Sequence, residues 1–264
     1  TNRPTRFRTP DTLCQLALES YWNTGHEEIS LVSLSSSDYP HLEELLQRLT
    51  KRFDSLDVNI SLPSLRVSDQ IESLVGPLSS VRKSSLTLAP EAATERLRDV
   101  INKNISRKEL LEGTNAAAEA GWQLVKLYFM IGLPTEREED IDAIEKLCGE
   151  ILDNSGAPGN KSPLKLNVTI SPFIPKPHTP FQWEPATSLN ALKEKASSLK
   201  ANDLPRKVRF KFHDIQRSLI EAVLARGDRN MGSIIKKSWE AGAQFDAWGE
   251  HFNFEIWRKI LQEE

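Results

Sequence analysis

Acidic, basic and hydroxyl side chains directly follow several apolar segments of this chain. Three serines, Ser35, Ser36 and Ser37, follow the first segment, where their hydroxyls could hold a polar ligand or simply cap the next helix. Glu91 follows the third segment and could accept hydrogen bonds from a ribose or an ammonium group, or stabilise a helix start through the helix dipole. Lys103, further along, could meet a carboxylate or be a solvated cation at a helix end. Spacing alone leaves both roles open at each position.

Backbone atoms could also bind a ligand after the fourth and fifth apolar segments. Gly132 follows the apolar segment Tyr128–Ile131 and could let a flat ligand approach the backbone, although a tight turn explains this glycine equally well. Pro175, Pro177 and Pro180 hold the next loop extended, so its carbonyls and amides could pair with the edge of a base. These residues predict a polar mouth built from several loops.

Apolar segments alternate with amphipathic segments up to about residue 212, which is typical of βα units that form a parallel sheet. We predict strands at Ile29–Leu34, Val58–Leu62, Ser85–Ala89, Val125–Ile131, Leu166–Ser171 and Val208–Phe212. We predict helices at Asp11–Asn23, His41–Arg52, Asp69–Leu74, Ala92–Val100, Lys108–Ala120, Glu136–Ile151 and Leu189–Leu199. Because ligands bind at the carboxyl ends of parallel strands, the loops named above should form the site.

The C-terminal part differs in character from the rest of the chain. We predict a barrel domain over residues 1–204, and a barrel-closing strand with a helical extension over residues 205–264. Three of the six tryptophans, Trp239, Trp248 and Trp257, lie in this extension. We expect them to be buried against the barrel, because tryptophan contributes a large apolar area.

The composition excludes several classes of protein. The 264 residues are 39% hydrophobic with a formal net charge of -3, and no apolar run reaches the roughly 18 to 20 residues that cross a bilayer. We therefore expect no membrane association. Cys14 and Cys148 are too far apart in sequence for a Cys-x-x-Cys metal motif, and so few cysteines predict a reducing, cytoplasmic setting. Phosphate-loop, dinucleotide-fold, esterase and zinc-protease motifs are absent.

Two alternative functions are compatible with the residues. An aldolase-like or lyase-like barrel could use Lys126 or Lys165 as a Schiff-base amine. A binding module could contact RNA or the ribosome through residues 200–240, which contain ten Lys and Arg against five Asp and Glu.

Five segments, in this order, resemble the part of a radical S-adenosylmethionine (SAM) protein that follows its iron–sulfur loop: SLVSLSSSDYPHL, ISLPSLR, LTLAPEAATERLRDVINKNIS, VKLYFMIGLPTEREEDIDAI and ISPFIPKPHTPFQW. Among such proteins, the segments most resemble the cobalamin-binding-domain proteins that are related to the methylthiotransferases. The resemblance implies an α/β fold, a partial (β/α)6 TIM-like barrel of parallel strands that lacks the first strand and the cluster loop. It also implies that the chain is a fragment cut just after that loop.

The resemblance also implies which residues bind SAM. Glu91 would contact the ribose or the methionyl part, and Lys103 the carboxylate, where many relatives have an arginine. The remaining SAM-binding positions are Ser35, Ser36 and Ser37 for the amino group, Met130, Ile131, Gly132 and Leu133 for the adenine, and Phe173 and Ile174 for the adenine edge. The serines replace a Gly-Gly-Glu sequence, so their backbone carbonyls would have to bind the amino group. Tyr128 stands where relatives carry an aspartate.

The implied cofactors are SAM and a four-iron four-sulfur cluster whose ligands lie outside this chain, with cobalamin possible in a full-length protein. In an intact relative, reductive cleavage of SAM gives a 5′-deoxyadenosyl radical that abstracts hydrogen from a substrate. We expect a fragment without the three cluster cysteines to be inactive alone. The resemblance names neither the substrate nor a catalytic residue.

Overall fold

The computed structural model describes residues 5–33, 36–61, 86–119, 121–155, 164–201 and 206–263. Its strands are β1 (Glu28–Ser30), β2 (Asn59–Ser61), β3 (Leu86–Glu91), β4 (Leu124–Ile131), β5 (Lys165–Pro172) and β6 (Val208–Phe212). Its helices are α1 (Pro10–Thr24), α2 (Leu42–Phe53), α3 (Glu95–Val100), α4 (Arg107–Glu119), α5 (Glu138–Ser155), α6 (Leu189–Ala201), α7 (Ile215–Arg226), α8 (Met231–Glu240) and α9 (Phe254–Glu263). The α/β class is confirmed. The helix expected at Asp69–Leu74 lies outside the described residues.

Local signals set several element boundaries. Helix α1 begins where the Thr9 side chain accepts a hydrogen bond from the Thr12 N–H, with Pro10 in its first turn. It ends at Gly25, whose φ of 68° is available to glycine at little cost. Helix α3 begins later than expected, at Glu95 rather than Ala92, because the Thr94 side chain caps it. Glu91 therefore lies in β3 and is not a first-turn acid.

The strands pair in parallel. Within the described residues, β1 pairs with β2, and a four-stranded sheet has the order β3-β4-β5-β6. In β3 and β4, Leu86 lies opposite Val125 and Leu88 opposite Leu127. The other two pairings follow from hydrogen bonds at both strand ends: Lys165 N–H to Gln123 O, Phe173 N–H to Ile131 O, Leu166 N–H to Lys207 O, and His213 N–H to Ile170 O. The bonds at the two ends of each pair imply the same parallel register, so these strands are parallel as well.

The four-stranded sheet has one apolar face. Alternate residues of β4, from Val125 to Ile131, are almost completely buried, as are Leu166, Val168 and Ile170 of β5. Residues in between are half-buried or exposed. One face of the sheet therefore contributes to the hydrophobic core, and the other remains partly open.

The described residues form two compact units. The first contains Thr1–Phe129, Asp142–Thr169 and Asp203–Lys211, and the second contains Met130–Ile141, Ile170–Asn202 and Phe212–Glu264. In the second unit, Ile220, Ile234, Phe254 and Trp257 form a small core of the C-terminal helices. The boundary at residue 204 stays a prediction.

The C-terminal tryptophans differ in burial. Trp257 is buried and donates its indole N–H to Asp246 at 3.1 Å. Trp239 and Trp248 are each 59% exposed, so the expectation that they are buried is wrong. The Trp248 ring instead stacks on Phe245, with ring centroids 5.6 Å apart. Among the described helices, none is long and apolar enough to span a bilayer.

Candidate functional site

Glu91 ends strand β3 in an unusual backbone conformation. The register of β3 against β4 shifts between Leu88 and Glu91, which places Glu91 opposite Phe129. The φ of Glu91 is 67°, a left-handed value that is uncommon for a residue with a side chain. Strained residues of this kind concentrate at ligand-binding sites. Glu91 is therefore the strongest single indication of a functional site in the first unit.

Lys103 is the charged partner of Glu91. The Lys103 Nζ lies 3.8 Å from the Glu91 Oε1, and both side chains are about one-third exposed, at 33% and 29%. Burial raises the pKa of Glu91 above its usual value, and the positive charge of Lys103 opposes that shift. The structure thus brings together the two residues that sequence analysis assigned to the polar part of the ligand.

A buried arginine holds the backbone on both sides of this ion pair. Arg98 is only 1% exposed, and its Nε donates to Ile105 O at 2.7 Å. Its Nη1 donates to Ala92 O at 3.0 Å and to Ala93 O at 2.9 Å. Ala92 and Ala93 directly follow Glu91, and Ile105 lies two residues after Lys103. Arg98 therefore fixes the segments that carry both charged residues.

Arg98 carries no local sequence signal that marks it as part of a site. Helix α3 has only six residues, which is too short for a helical periodicity to show which side chains face inward. Charged residues are also seldom fully buried, so composition argues for a solvent-exposed arginine here. Its carbonyl partners lie on two separate loops, and only the fold brings them together.

The turn after β4 is held by a buried carboxylate in the second unit. The Gly132 N–H donates to both carboxylate oxygens of Glu136 at 2.9 Å, and the Leu133 N–H donates to one of them at 3.3 Å. Lys195 of helix α6 pairs with the same carboxylate. Glu136 is a residue whose structural role sequence analysis missed, although its four-residue spacing from Gly132 fits such a turn.

Gly132 itself is required by packing within the protein. Its φ is 82°, and a Cβ at this position would lie 2.8 Å from Thr187 Oγ1 and 3.0 Å from Leu192 Cδ2. The Thr187 hydroxyl donates to Gly132 O at 3.1 Å. The tight-turn interpretation therefore accounts for this glycine, and its role in binding adenine stays a prediction.

The other residues assigned to the adenine differ in accessibility. Ile131 and Leu133 are buried, whereas Met130 is half-buried on the open face of β4. The Phe173 N–H donates to Ile131 O at 2.8 Å, so this amide is engaged within the sheet. Ile174 carries the next amide and carbonyl along the chain, and it is half-buried. The contact of Phe173 and Ile174 with an adenine edge stays a prediction.

The serine segment is described only in part. Ser35 and the side chain of Ser37 lie outside the described residues, whereas Ser36 is buried in a short 3-10 helix, Ser36–Asp38. The Ser36 hydroxyl donates to Leu31 O at 3.2 Å and lies 3.3 Å from the Ser33 hydroxyl. These contacts fit a turn-stabilising role for Ser36.

The cysteines do not fit an iron–sulfur cluster. Cys14 lies in α1 and Cys148 in α5, and both are buried free thiols. Burial raises the pKa of Cys148 to about 12, and burial also raises the pKa of Cys14. Cluster ligands are thiolates. No group of three or more His, Cys, Asp or Glu within the described part of the chain could hold a metal ion.

A family model agrees with the resemblance seen in the sequence. The family model described as the radical SAM superfamily matches residues 1–148. An uncharacterised protein of Methanocaldococcus jannaschii is 32% identical over 237 residues, which are 89% of this chain and 49% of that protein. The chain thus spans about half the length of this relative. A solved structure of Methanocaldococcus infernus Elp3 with an N-terminal deletion is 14% identical and has a TM-score of 0.47, covering 76% of this chain and 52% of that one.

The superfamily match covers more than half of the chain, whereas the relation to methylthiotransferases and the use of cobalamin stay predictions. Superfamily members use SAM together with a four-iron four-sulfur cluster, so membership supports an enzymatic role. With the family model and the parallel α/β fold in agreement, the chain belongs to the radical SAM superfamily.

Proposed function

We propose that the chain binds SAM and that the Glu91–Lys103 pair holds the amino-acid part of the ligand. This part is a zwitterion, with an ammonium and a carboxylate on one carbon. The Glu91 carboxylate suits the ammonium and the Lys103 ammonium suits the carboxylate, and the two protein groups are already 3.8 Å apart. The observation that carries the proposal is this partly buried ion pair, whose carboxylate lies at a strained strand end.

The surroundings of the pair favour a polar ligand over a purely structural ion pair. An exposed ion pair would contribute little to the stability of the fold, because surface ion pairs are worth only about 0 to 1 kcal/mol. Burial raises the pKa of Glu91 because the cost of desolvating the carboxylate exceeds its stabilisation by Lys103. A ligand ammonium would supply a second positive partner and hydrogen bonds that Lys103 alone does not provide.

The protein's own residues have defined tasks in this proposal. Glu91 and Lys103 orient the amino-acid part, and Arg98 fixes the loops that carry them. SAM bound beside an iron–sulfur cluster supplies the radical chemistry of the superfamily. The described residues do not supply the ligands of that cluster, so the proposal concerns SAM binding.

Calorimetric titration with two ligands tests the proposal. SAM carries the amino-acid part on a charged sulfonium, whereas 5′-methylthioadenosine is a neutral thioether of the same nucleoside and lacks the amino-acid part. Glu91→Gln and Lys103→Gln should each weaken SAM binding by about tenfold or more, since a hydrogen-bonded charged contact is worth about 1.5 to 3 kcal/mol. Both substitutions should leave the affinity for methylthioadenosine nearly unchanged.

The matched control is Glu112→Gln on α4, an exposed acid that pairs with Lys108. It changes the charge by the same amount and should not alter the affinity for either ligand. Equal losses for SAM and methylthioadenosine in the Glu91 and Lys103 variants would contradict the assignment to the amino-acid part. Failure of the chain to bind either ligand would contradict the proposed function itself.

A further inference from the structure

The parallel register places polar residues from four strands in one row on the open face of the sheet. Thr87 of β3 lies opposite Lys126 of β4. The Lys165 N–H bond to Gln123 O places Lys126 opposite Asn167, and the Leu166 N–H bond to Lys207 O places Asn167 opposite Arg209. The row therefore reads Thr87, Lys126, Asn167 and Arg209, and every member belongs to the first compact unit.

A second row lies one step towards the carboxyl ends of the strands. The same hydrogen bonds place Tyr128 of β4 opposite Thr169 of β5, and Thr169 opposite Lys211 of β6. These residues are half-buried or exposed, whereas their neighbours Leu127, Val168 and Val208 are buried on the other face. One face of the sheet is thus apolar, and the opposite face carries hydroxyls, amides and three cations.

The three cations are not neutralised within the described part of the chain. Its ion pairs do not include Lys126, Arg209 or Lys211. The spacing of about 4.8 Å between neighbouring strands puts the backbones of Lys126 and Arg209 about 10 Å apart, with Asn167 between them. A ligand of moderate size could contact both cations and the intervening amide.

Protection of the sheet edge explains only part of this charge. Strand β6 is an edge of the four-stranded sheet, and exposed Lys and Arg on edge strands discourage pairing with other chains. That role fits Arg209 and Lys211. It does not fit Lys126, because β4 lies inside the sheet and Lys126 is half-buried. A half-buried lysine without an ion-pair partner among the described residues suits a bound anion.

We infer that the open face of the sheet binds the substrate and that this substrate is an oxyanion, carrying phosphate or carboxylate groups. Lys126 and Arg209 bind the anionic groups, and Asn167, Thr87 and Tyr128 offer hydrogen bonds to neighbouring polar atoms. The inference rests on the proposed function, because it assigns the second ligand of the same barrel. It also gives Arg209 and Lys211 a role different from the RNA contact that the charge of residues 200–240 suggested.

Calorimetric titrations with pyrophosphate and with citrate test the inference and distinguish phosphate from carboxylate recognition. We expect the chain to bind at least one of them at low salt. Lys126→Gln and Arg209→Gln should each weaken that binding about fivefold or more. The matched control is Lys108→Gln, which removes an exposed cation on α4 and should change the affinity less than twofold.

Three outcomes would overturn the inference. The first is that neither anion binds to the wild-type chain. The second is that Lys108→Gln weakens binding as much as Lys126→Gln does, which would show that only net charge matters. The third is that a single-stranded RNA oligonucleotide binds and that Lys236→Gln and Lys237→Gln, two substitutions on α8, weaken its binding as much as Lys126→Gln does.

The same samples separate this inference from the proposed function. Binding of SAM without binding of pyrophosphate or citrate leaves the proposed function standing and removes the anion site. Binding of an anion that depends on Lys126, without binding of SAM, supports the anion site and contradicts the SAM assignment of Glu91 and Lys103.

Discussion

The ammonium of Lys195 lies 2.7 Å from the carboxylate of Glu136, whose side chain is only 2% exposed. Lys195 comes from helix α6, and Glu136 holds the turn that ends β4. The pair therefore joins a helix to a strand end through one buried charge. Because both charges have specific partners, removal of either one leaves the other uncompensated.

We expect Glu136→Ala to lower the free energy of unfolding by about 3 to 5 kcal/mol, because the Lys195 ammonium and the Gly132 and Leu133 N–H groups lose a buried acceptor. Lys195→Met should cost less, about 1 to 3 kcal/mol, since Lys195 is partly exposed. Urea unfolding followed by circular dichroism measures both changes. The result would contradict the structure if Glu136→Ala were no more destabilising than Glu138→Ala in the first turn of α5.

Replacement of Arg98 should affect both stability and ligand binding. Arg98→Ala leaves three carbonyl oxygens without their donor and should lower the free energy of unfolding by about 3 to 5 kcal/mol. Arg98→Lys should recover only part of this loss. Its ammonium can still donate to a carbonyl, but it cannot match the planar arrangement of guanidinium donors. Thermal unfolding compares the variants.

A second measurement distinguishes positioning of the ion pair from stability alone. At a temperature where Arg98→Lys is fully folded, we expect it to bind SAM more weakly than the wild-type chain, because Glu91 and Lys103 are no longer fixed. The exposed control Lys108→Ala should change both stability and SAM affinity little. Wild-type SAM affinity in folded Arg98→Lys would show that Arg98 does not position the pair.

Glu91 should make stability depend on pH in a defined direction. Its pKa is raised in the folded chain relative to the unfolded chain, chiefly by burial. The folded state therefore binds the proton more tightly, and this contribution is present below the usual carboxyl pKa and lost as pH rises through the raised value. Glu91→Gln removes the ionisation, so its free energy of unfolding should increase relative to wild type as pH rises from 4 towards 8.

Denaturant unfolding of wild type and Glu91→Gln over that pH range measures the difference. Glu112→Gln, which replaces an exposed acid on α4, is the control for the loss of a surface carboxylate. If Glu91→Gln instead became less stable relative to wild type as the pH rises, the sign would be reversed and the burial of this carboxylate would be contradicted.

Two glycines should respond oppositely to alanine. Gly132→Ala places a Cβ within 3 Å of Thr187 in a left-handed conformation, and should cost about 1 to 3 kcal/mol. Gly149→Ala lies within α5 with nothing within 4 Å of the new Cβ, and should stabilise by up to about 1 kcal/mol. Calorimetric melting temperatures of the two variants provide the test, and a neutral Gly132→Ala would argue against the packing seen at this turn.

The sequence predicted the framework well because strand and helix patterns are local. The strand at Val208–Phe212 has the predicted bounds, and β4 begins only one residue earlier than predicted. The β1 strand ends at Ser30, whereas the prediction extended it to Leu34, which lies outside the described residues. Buried parallel strands leave a strong apolar signal, whereas their exact ends depend on the partner strand.

The site was predictable only in part. Glu91 and Lys103 were found because their sequence context resembles a known family, and the structure pairs them. The sequence shows that residues 206–211 are basic, but it does not show which residues of other strands these cations face. The register that aligns Arg209 with Lys126 depends on residues far apart in the chain. Arg98 and Glu136 act through backbone atoms of distant loops, for which the sequence carries no local pattern.

The two buried tryptophans give this chain a pair of built-in optical reporters. Trp122 lies in the first compact unit and Trp257 in the second, and each is 6% exposed. Replacing the four exposed tryptophans, together with one buried tryptophan in turn, by phenylalanine leaves a single emission signal from one unit. Comparing the two transitions in denaturant then shows whether the units melt cooperatively or one after the other.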